Sequence, residues 1–541
     1  MRRLVAVGAA VLGFALFTGT AAHAAEPPTE FGSDWDDPRT AVQPISKPPT
    51  PSCTVTIVDH EFRDFTPYTG TYTPPADCVG PWNKVVLRME TTIAGRQYDR
   101  LGSLSLGGVT IFKTSTAEPS VDGIRWTVES DVTRYAPLLT RQQPVWMLIG
   151  NVVNETYTGI LDTKVELTFY QATTDHPAAE TSDDVLPLAD ARQTGGELHG
   201  TVTVARNTER LVAEVYATGS GGGCEEFWYG TTPPDTGYSC GTAADGPYRE
   251  VQVLIDDQVA GIAAPYPYIY TGGWSNPYLW YVLPAPRAFD IHAIRYDLTP
   301  FVGLLTDGQP HRVRVRTIGV PAGQSGWDTP TNFLVWRDHG GTRTTGRLLS
   351  HDLGTLRNDL TSSVEGDIHH VTVEAAHRFR AVGYLDTSHG RVTTTVEQAL
   401  TNHNEHYWGP GESPDGQHAV WTDTSTVTMS GQGSAPRVSR TEKRYTVDGE
   451  ITIADDRLTT RMTLGDYADA TTARTGQAPW SRLANTFTGS ASWTLGVPRD
   501  ERHAVGESEQ RYRLTGPHGT CYDHRIAQVN GTITADELRC G

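Results

Sequence analysis

Asp131-Val132-Thr133-Arg134-Tyr135-Ala136-Pro137-Leu138-Leu139-Thr140-Arg141-Gln142-Gln143-Pro144 recurs without a gap as Asp297-Leu298-Thr299-Pro300-Phe301-Val302-Gly303-Leu304-Leu305-Thr306-Asp307-Gly308-Gln309-Pro310. Each copy runs into an apolar strand, Val145 to Gly150 and His311 to Val315. A spacing this long lies outside the range of solenoid repeats. It implies two domains of similar build in tandem. Around the repeat the apolar period is two, not 3.6. Val85 to Glu90, Lys164 to Tyr170, Thr201 to Val204 and Glu450 to Ile453 alternate as strands do. Thr, Val and Tyr are abundant, Gly and Pro punctuate throughout, and no amphipathic pattern exceeds two helical turns. The expected class is all-β, built of sandwiches.

The chain has 541 residues, more than one core usually spans (roughly 250–300). Residues 1–25 have the layout of a secretory signal peptide: Arg2 and Arg3, an apolar run from Leu4 to Phe17, then Ala22-His23-Ala24. Residues 26–50, rich in Pro, Asp and Thr, are expected to form a linker. The first sandwich is expected over 51–196, the second over 197–345, and a β-rich C-terminal domain over 346–541. Acidic residues (63) outnumber Lys and Arg (44), for a net charge of −19. That balance argues against nucleic acid and against anionic membranes as partners. No second span follows the signal, and a monomer is expected. The six cysteines fall into local couples, Cys53 with Cys78, Cys224 with Cys240 and Cys521 with Cys540. In an exported chain three disulfides are the natural expectation, although spacing alone does not fix the pairing.

No P-loop, G-x-G-x-x-G or H-E-x-x-H is present. These absences disfavour kinases, dinucleotide enzymes and zincins. His403, His406, His369, His370 and His377 are expected to be solvated surface histidines, not a metal site. Two acidic segments remain. Tyr98-Asp99-Arg100 puts an acid beside a guanidinium. Cys224-Glu225-Glu226-Phe227-Trp228-Tyr229 follows a glycine run and sets two acids beside three aromatic rings. Flat rings with polar edges suit a sugar, and Trp274 adds another. The second repeat copy has Tyr248-Arg249-Glu250 where the first has Tyr98-Asp99-Arg100. Asp99 is therefore not simply repeated.

At these residues the chain resembles the plant-type peptide:N-glycanases, the PNGase A family. The resemblance is carried by Arg96 to Arg100, Leu106 to Val109, Thr116 to Pro119, Trp126 to Glu129 and Asp131 to Tyr135. It continues through Thr156 to Gly159, Glu226 to Tyr229, Tyr248 to Val251 and Thr271-Gly272-Gly273. It implies an amidohydrolase acting on N-glycosylated peptides or glycoproteins. The bond cut is the side-chain amide between asparagine and N-acetylglucosamine, with no metal or cofactor. Similarity to the related PNGase F enzymes implies two eight-stranded antiparallel jelly rolls with the site between them. It also implies that Asp99 and Glu226 are catalytic. A third acid of those enzymes has no carboxylate counterpart in Met147-Leu148-Ile149-Gly150-Asn151.

Amide hydrolysis needs a base for water, donors for the oxyanion and an acid for the leaving nitrogen. Asp99 is the candidate base and Glu226 the candidate acid or orienting group. Arg100, Trp228, Tyr229 and Trp274 are expected to contact substrate. Glu225, grouped with them, is the blander neighbour. Two alternatives compete: a glycan-binding sandwich without turnover, and a glycoside hydrolase using the same acid pair.

Overall fold

The computed structural model describes residues 26–431, 435–473 and 479–541. The expected signal peptide lies outside them. Among the described residues no α-helix exceeds four residues, and none is long and apolar enough to cross a membrane.

The first unit holds β1 (Ser52–Phe62), β2 (Tyr68–Tyr72), β3 (Trp82–Ile93), β4 (Leu101–Leu106), β5 (Val109–Ser115), β6 (Ile124–Asp131), β7 (Gln143–Ile149) and β8 (Leu161–Gln171). They form two four-stranded antiparallel sheets, ordered β1-β8-β3-β6 and β2-β7-β4-β5. In β8, Leu161, Thr163, Val165, Leu167 and Phe169 point inward and the residues between them outward. That is the alternation a half-buried strand requires. Each inward Leu- or Phe-sized side chain contributes roughly 1.5–3 kcal/mol. β5 breaks the alternation, because all seven of its residues are buried. Its outer face is covered by the second unit: Thr114 Oγ1 donates to the Phe289 carbonyl (2.8 Å), and Thr110 N–H donates to Asn332 Oδ1 (3.0 Å). β5 is thus the seam between the two units.

The second unit sets a five-stranded sheet (Ala189–Thr194, Glu197–Val202, His311–Ile318, Glu250–Ile255, Gln258–Ala263) against a four-stranded one (Ile294–Asp297, Thr208–Val215, Thr331–Arg337, Asp184–Pro187). A two-stranded ribbon, Thr218–Gly219 with Trp327–Asp328, is added. This is more than eight strands. The unit also begins earlier than residue 197, since Asp184–Pro187 and Ala189–Thr194 pair within its sheets. The two repeat copies fold alike. Asp131 Oδ1 accepts from Thr133 N–H (3.0 Å), and Asp297 Oδ1 accepts from Thr299 N–H (3.1 Å). Each turn leads into a short helix, Ala136–Leu139 or Val302–Leu305, and then a strand.

From Thr345–Leu353 to Thr532–Cys540 the chain forms one 11-stranded antiparallel sheet with strands of up to 20 residues. One face is apolar, with Phe379, Leu400, Trp421, Tyr445 and Phe487 all buried. Polar contacts also tie the sheet to the second unit. Arg287 grips Asp466 through two bonds of 2.7 Å, and Asp423 Oδ2 accepts from Ala264 N–H (3.2 Å).

Residues 26–50 are not a free linker. Phe31 and Trp35 are buried, Trp35 stacks on Tyr281 at 4.0 Å, and Phe31 N–H donates to Ala504 O (2.8 Å). Two aromatic anchors outweigh the loop-like composition and make the segment a strap. Cys224–Cys240 and Cys521–Cys540 are closed, but Cys53 and Cys78 are free thiols, contrary to the expected third disulfide. Burial, then the neighbouring Cys78, pushes the Cys53 thiol up to about 12. It is held as the neutral, unreactive form.

Candidate active site

Asp99 lies in the loop entering β4, at the seam. Its carboxylate Oδ2 accepts from Gly272 N–H at 2.7 Å, a donor from the second unit. Thr271 Oγ1 donates to Thr116 O (2.9 Å), and Arg100 N–H donates to Thr116 Oγ1 (2.9 Å), locking the two loops together. A Cβ at Gly272 would come within 2.9 Å of Glu118 Oε1 and 3.5 Å of Asp99 Oδ2. Both acids therefore lie against the same backbone, and a side chain there would have to displace Glu118.

Glu118 is the functional candidate that sequence reasoning missed. It leaves the end of β5 and is buried. Desolvation, then the Asp99 charge, drives its carboxyl well above the ordinary range; Arg499 and Arg502, in a connection between strands of the C-terminal sheet, oppose the shift. Burial likewise raises Asp99, opposed by the Gly272 N–H and then by Arg100. The signal was available, because Thr116 to Pro119 is one of the family-like segments. Met147 to Asn151 carries no carboxylate. Asn151 instead braces a loop, donating to Phe62 O (2.9 Å) and Gly159 O (3.2 Å).

Glu226 sits on a 3-10 helix, Gly222–Gly230, clamped by the Cys224–Cys240 disulfide. Burial and then Asp99 raise its carboxyl to about 7. Three carboxyls thus act on one another across the seam, Glu118 and Glu226 each through Asp99. Arg100 makes no ion pair with Asp99. Its Nη2 donates to Gln97 Oε1 (2.5 Å) and its buried Nε has no hydrogen-bond partner.

Two expected substrate contacts do not face the site. Glu225 is fully buried and bonded to Arg249 through Nη2 (2.7 Å) and Nε (3.0 Å), with Trp327 Nε1 at 2.5 Å. Trp228, only 2% exposed, packs against Trp421 (5.4 Å) and Trp327 (6.1 Å). A 3-10 turn repeats every three residues. Glu225 and Trp228 therefore share the inward face, while Glu226 and Tyr229 share the next. Tyr229 and Trp274 line a cleft against this helix, as does Phe227.

The second repeat copy answers the same positions differently. Arg249 is spent on Glu225, and Glu250 on Tyr248 (2.6 Å) and His377 (2.7 Å). His377 and His406 are buried, each paired with an acid, and not solvated as expected. Among the described residues one group has metal-ligand spacing, Glu209, Asp338 and His389, whose ligand atoms lie within 4.8 Å of one another. None of the three acids at the seam belongs to it.

Fold and site together define an all-β protein with a carboxyl-rich centre at the junction of two sandwiches. The family described as peptide N-acetyl-beta-D-glucosaminyl asparaginase amidase A matches residues 39–352. Peptide-N4-(N-acetyl-beta-glucosaminyl)asparagine amidase A of Prunus dulcis is 32% identical over 398 residues, spanning 68% of this chain and 67% of the plant protein. The chain belongs to this amidase A family. A solved structure of PNGF-II in space group C2 covers 53% of the chain and 65% of its own, at 12% identity and a TM-score of 0.36. That likeness is too slight to bear on function.

Proposed function

We propose that this chain is an exported peptide:N-glycanase. It hydrolyses the side-chain amide of glycosylated asparagine, leaving aspartate in the peptide and releasing the glycan. The observation that carries the reading is the trio at the seam: Asp99 on the Gly272 N–H, buried Glu118 against the same glycine, and Glu226 raised to about 7.

Three neighbouring carboxyls cannot all ionise in a desolvated site. Glu118, raised well above the ordinary carboxyl range by burial and then by the Asp99 charge, keeps its proton, and Asp99, which accepts from the Gly272 N–H, is the acid the environment best supports as an anion. Asp99 orients and deprotonates water as it attacks the amide carbon. The tetrahedral intermediate then expels the nitrogen. Glu226, half-protonated near neutrality, gives that nitrogen its proton. The products are a carboxyl on the peptide and a glycosylamine, which loses ammonia in water. The proton Asp99 gains returns to solvent as the new carboxyl ionises. Arg100, with its free Nε, is assigned to the first sugar. Export fits the two closed disulfides, which persist outside the reducing cytosol.

The test is mass spectrometry of a defined N-glycopeptide after incubation in oxygen-18 water. Expected is an aspartyl peptide carrying the heavy oxygen, with the yield cut by about a hundredfold or more in Asp99→Ala. An unchanged glycopeptide across glycan types and pH overturns the reading in favour of a glycan-binding protein. Sugar left on intact asparagine overturns it in favour of a glycosidase.

A further inference from the structure

We propose that the C-terminal sheet builds one wall of a subsite for a neutral sugar ring of the glycan, beyond the ring attached to asparagine. The inference rests on the amidase reading for which ligand is meant, but the site stands on its own geometry. A cleft of about 230 Å³ opens against the 3-10 helix that carries Glu226. One wall is Phe227, Tyr229 and Trp274 from the second unit. The other is His406, Asp415 and Gln417 from the sheet.

Among the buried polar atoms on this cleft, His406 Nδ1 has no hydrogen-bond partner, and Tyr229 Oη and Trp274 Nε1 have none but each other. Tyr229 and His406 are only 2% and 3% exposed. Leaving such groups unsatisfied costs about 1–3 kcal/mol each, so their retention calls for a ligand that completes them. Their polarity is mixed. Trp274 Nε1 can only donate. His406 Nε2 faces Asp415 Oδ1 at 2.8 Å, which leaves Nδ1 for a ligand that can give or take a hydrogen bond. Tyr229 Oη can do either. Hydroxyls, which both give and take, complete such a set.

The other lining groups narrow the class. Phe227 is 37% exposed and Trp274 partly so, which gives apolar faces for the C–H side of a pyranose. Asp415, held by His406 and the Tyr238 hydroxyl, and Glu412, held by Ser239, make this wall acidic and repel anions, so acidic sugars are disfavoured. The volume is small for a ligand site and suits one ring. Beyond it, Glu412 also borders an open groove floored by Trp408 and His369, which stack on each other at 5.3 Å. Further sugars have a path along the sheet.

The backbone is strained where the cleft needs it. Trp274 is held at φ 57°, the left-handed region, and non-glycine residues stay there only when their surroundings enforce it. Here the enforcing groups come from the sheet: Thr460 Oγ1 donates to Trp274 O (3.3 Å), and Ala491 O accepts from Asn276 Nδ2 (2.9 Å). Asn404 Nδ2 donates to Tyr229 O (2.7 Å), and Gln417 Nε2 also reaches that oxygen. Much of this wall lies past residue 352, outside the family match.

The experiment is calorimetric titration of the full chain bearing Asp99→Ala with free N,N′-diacetylchitobiose, alone and combined with His406→Phe or Phe227→Ala. Phe227 is surface-exposed, so Phe227→Ala guards against misfolding. Expected is an affinity loss of about tenfold in both combinations. In the catalytically intact background, KM rises for a peptide carrying the disaccharide more than for one carrying a single sugar. A merely structural role would move both substrates alike and overturns the proposal. So does disaccharide affinity that ignores both substitutions, or a peptide lacking sugar that competes for the cleft. Disaccharide binding that depends on His406, in a chain that cleaves no glycopeptide, sinks the amidase reading while the subsite stands.

Discussion

At the residue scale, Glu226 makes the site sensitive to pH in two ways that separate cleanly. Its folded value of about 7 lies above the ordinary 4.5. The bound proton therefore adds stability that is fully present below about pH 4.5 and is lost as the pH rises through 7. The size is about 3–3.5 kcal/mol. Glu226→Gln keeps the shape and removes the titration. The melting temperature of the variant relative to wild type is expected to climb between pH 4.5 and pH 8. A difference that stays flat over that range refutes the assignment. The same variant should lose the fall in kcat/KM through pH 7, because that limb reports loss of the donated proton. Asp99 and Glu226 were legible in the sequence because an acid beside Arg and an acid after a glycine run are local patterns. Glu118 is harder to read, because what raises it is burial and then a neighbour in space, Asp99, and not anything adjacent in the chain. Trp228 misled for a related reason. Composition marks it as a sugar platform, but the 3-10 turn carries it inward onto Trp421.

At the element scale, the loop bearing Glu226 is fixed from beneath by one buried ion pair. Glu225 and Arg249 are both fully buried, with two bonds of 2.7 and 3.0 Å. Removing one partner strands the other charge in a low dielectric, at a cost of about 3–5 kcal/mol. Arg249→Leu should therefore lower stability by that order in urea unfolding, whereas the paired exchange with Glu225→Leu should recover part of it. A single variant as stable as wild type would mean the pair holds nothing in place. Strands were the most readable elements. Period-two alternation gives β8 directly, because one face meets the core and the other meets water. β5 was harder, since a strand covered on both faces loses the alternation. The boundary near residue 197 slipped for the same kind of reason. Asp184–Pro187 and Ala189–Thr194 are short strands that follow the first unit in sequence but pair with the second in space. The strap at 26–50 shows composition losing to two buried rings, Phe31 and Trp35.

At the scale of the whole molecule, the C-terminal sheet behaves as part of the catalytic unit and not as an appended module. It supplies Trp421 behind Trp228, the amides that hold Tyr229 O, and the guanidinia that face Glu118. The sandwiches' site therefore presupposes the sheet, and a shared core predicts shared unfolding. Trp421 is only 1% exposed and its ring meets Trp228 at 5.4 Å. Trp421→Ala would open a cavity at the junction and cost about 3–5 kcal/mol. Trp480 is 41% exposed, so Trp480→Ala makes the matched control and should change stability little. Calorimetry of both variants checks the idea. Trp421→Ala should lower one common transition, and glycopeptide cleavage should disappear at that same lowered temperature, because Glu226 rides on the helix that Trp228 anchors. Two separate transitions, with cleavage surviving the first, would show instead that the sheet folds and fails independently. The Trp228–Trp421 contact would then be mere docking, and the walls of the sugar cleft would have to be held by the sandwiches alone.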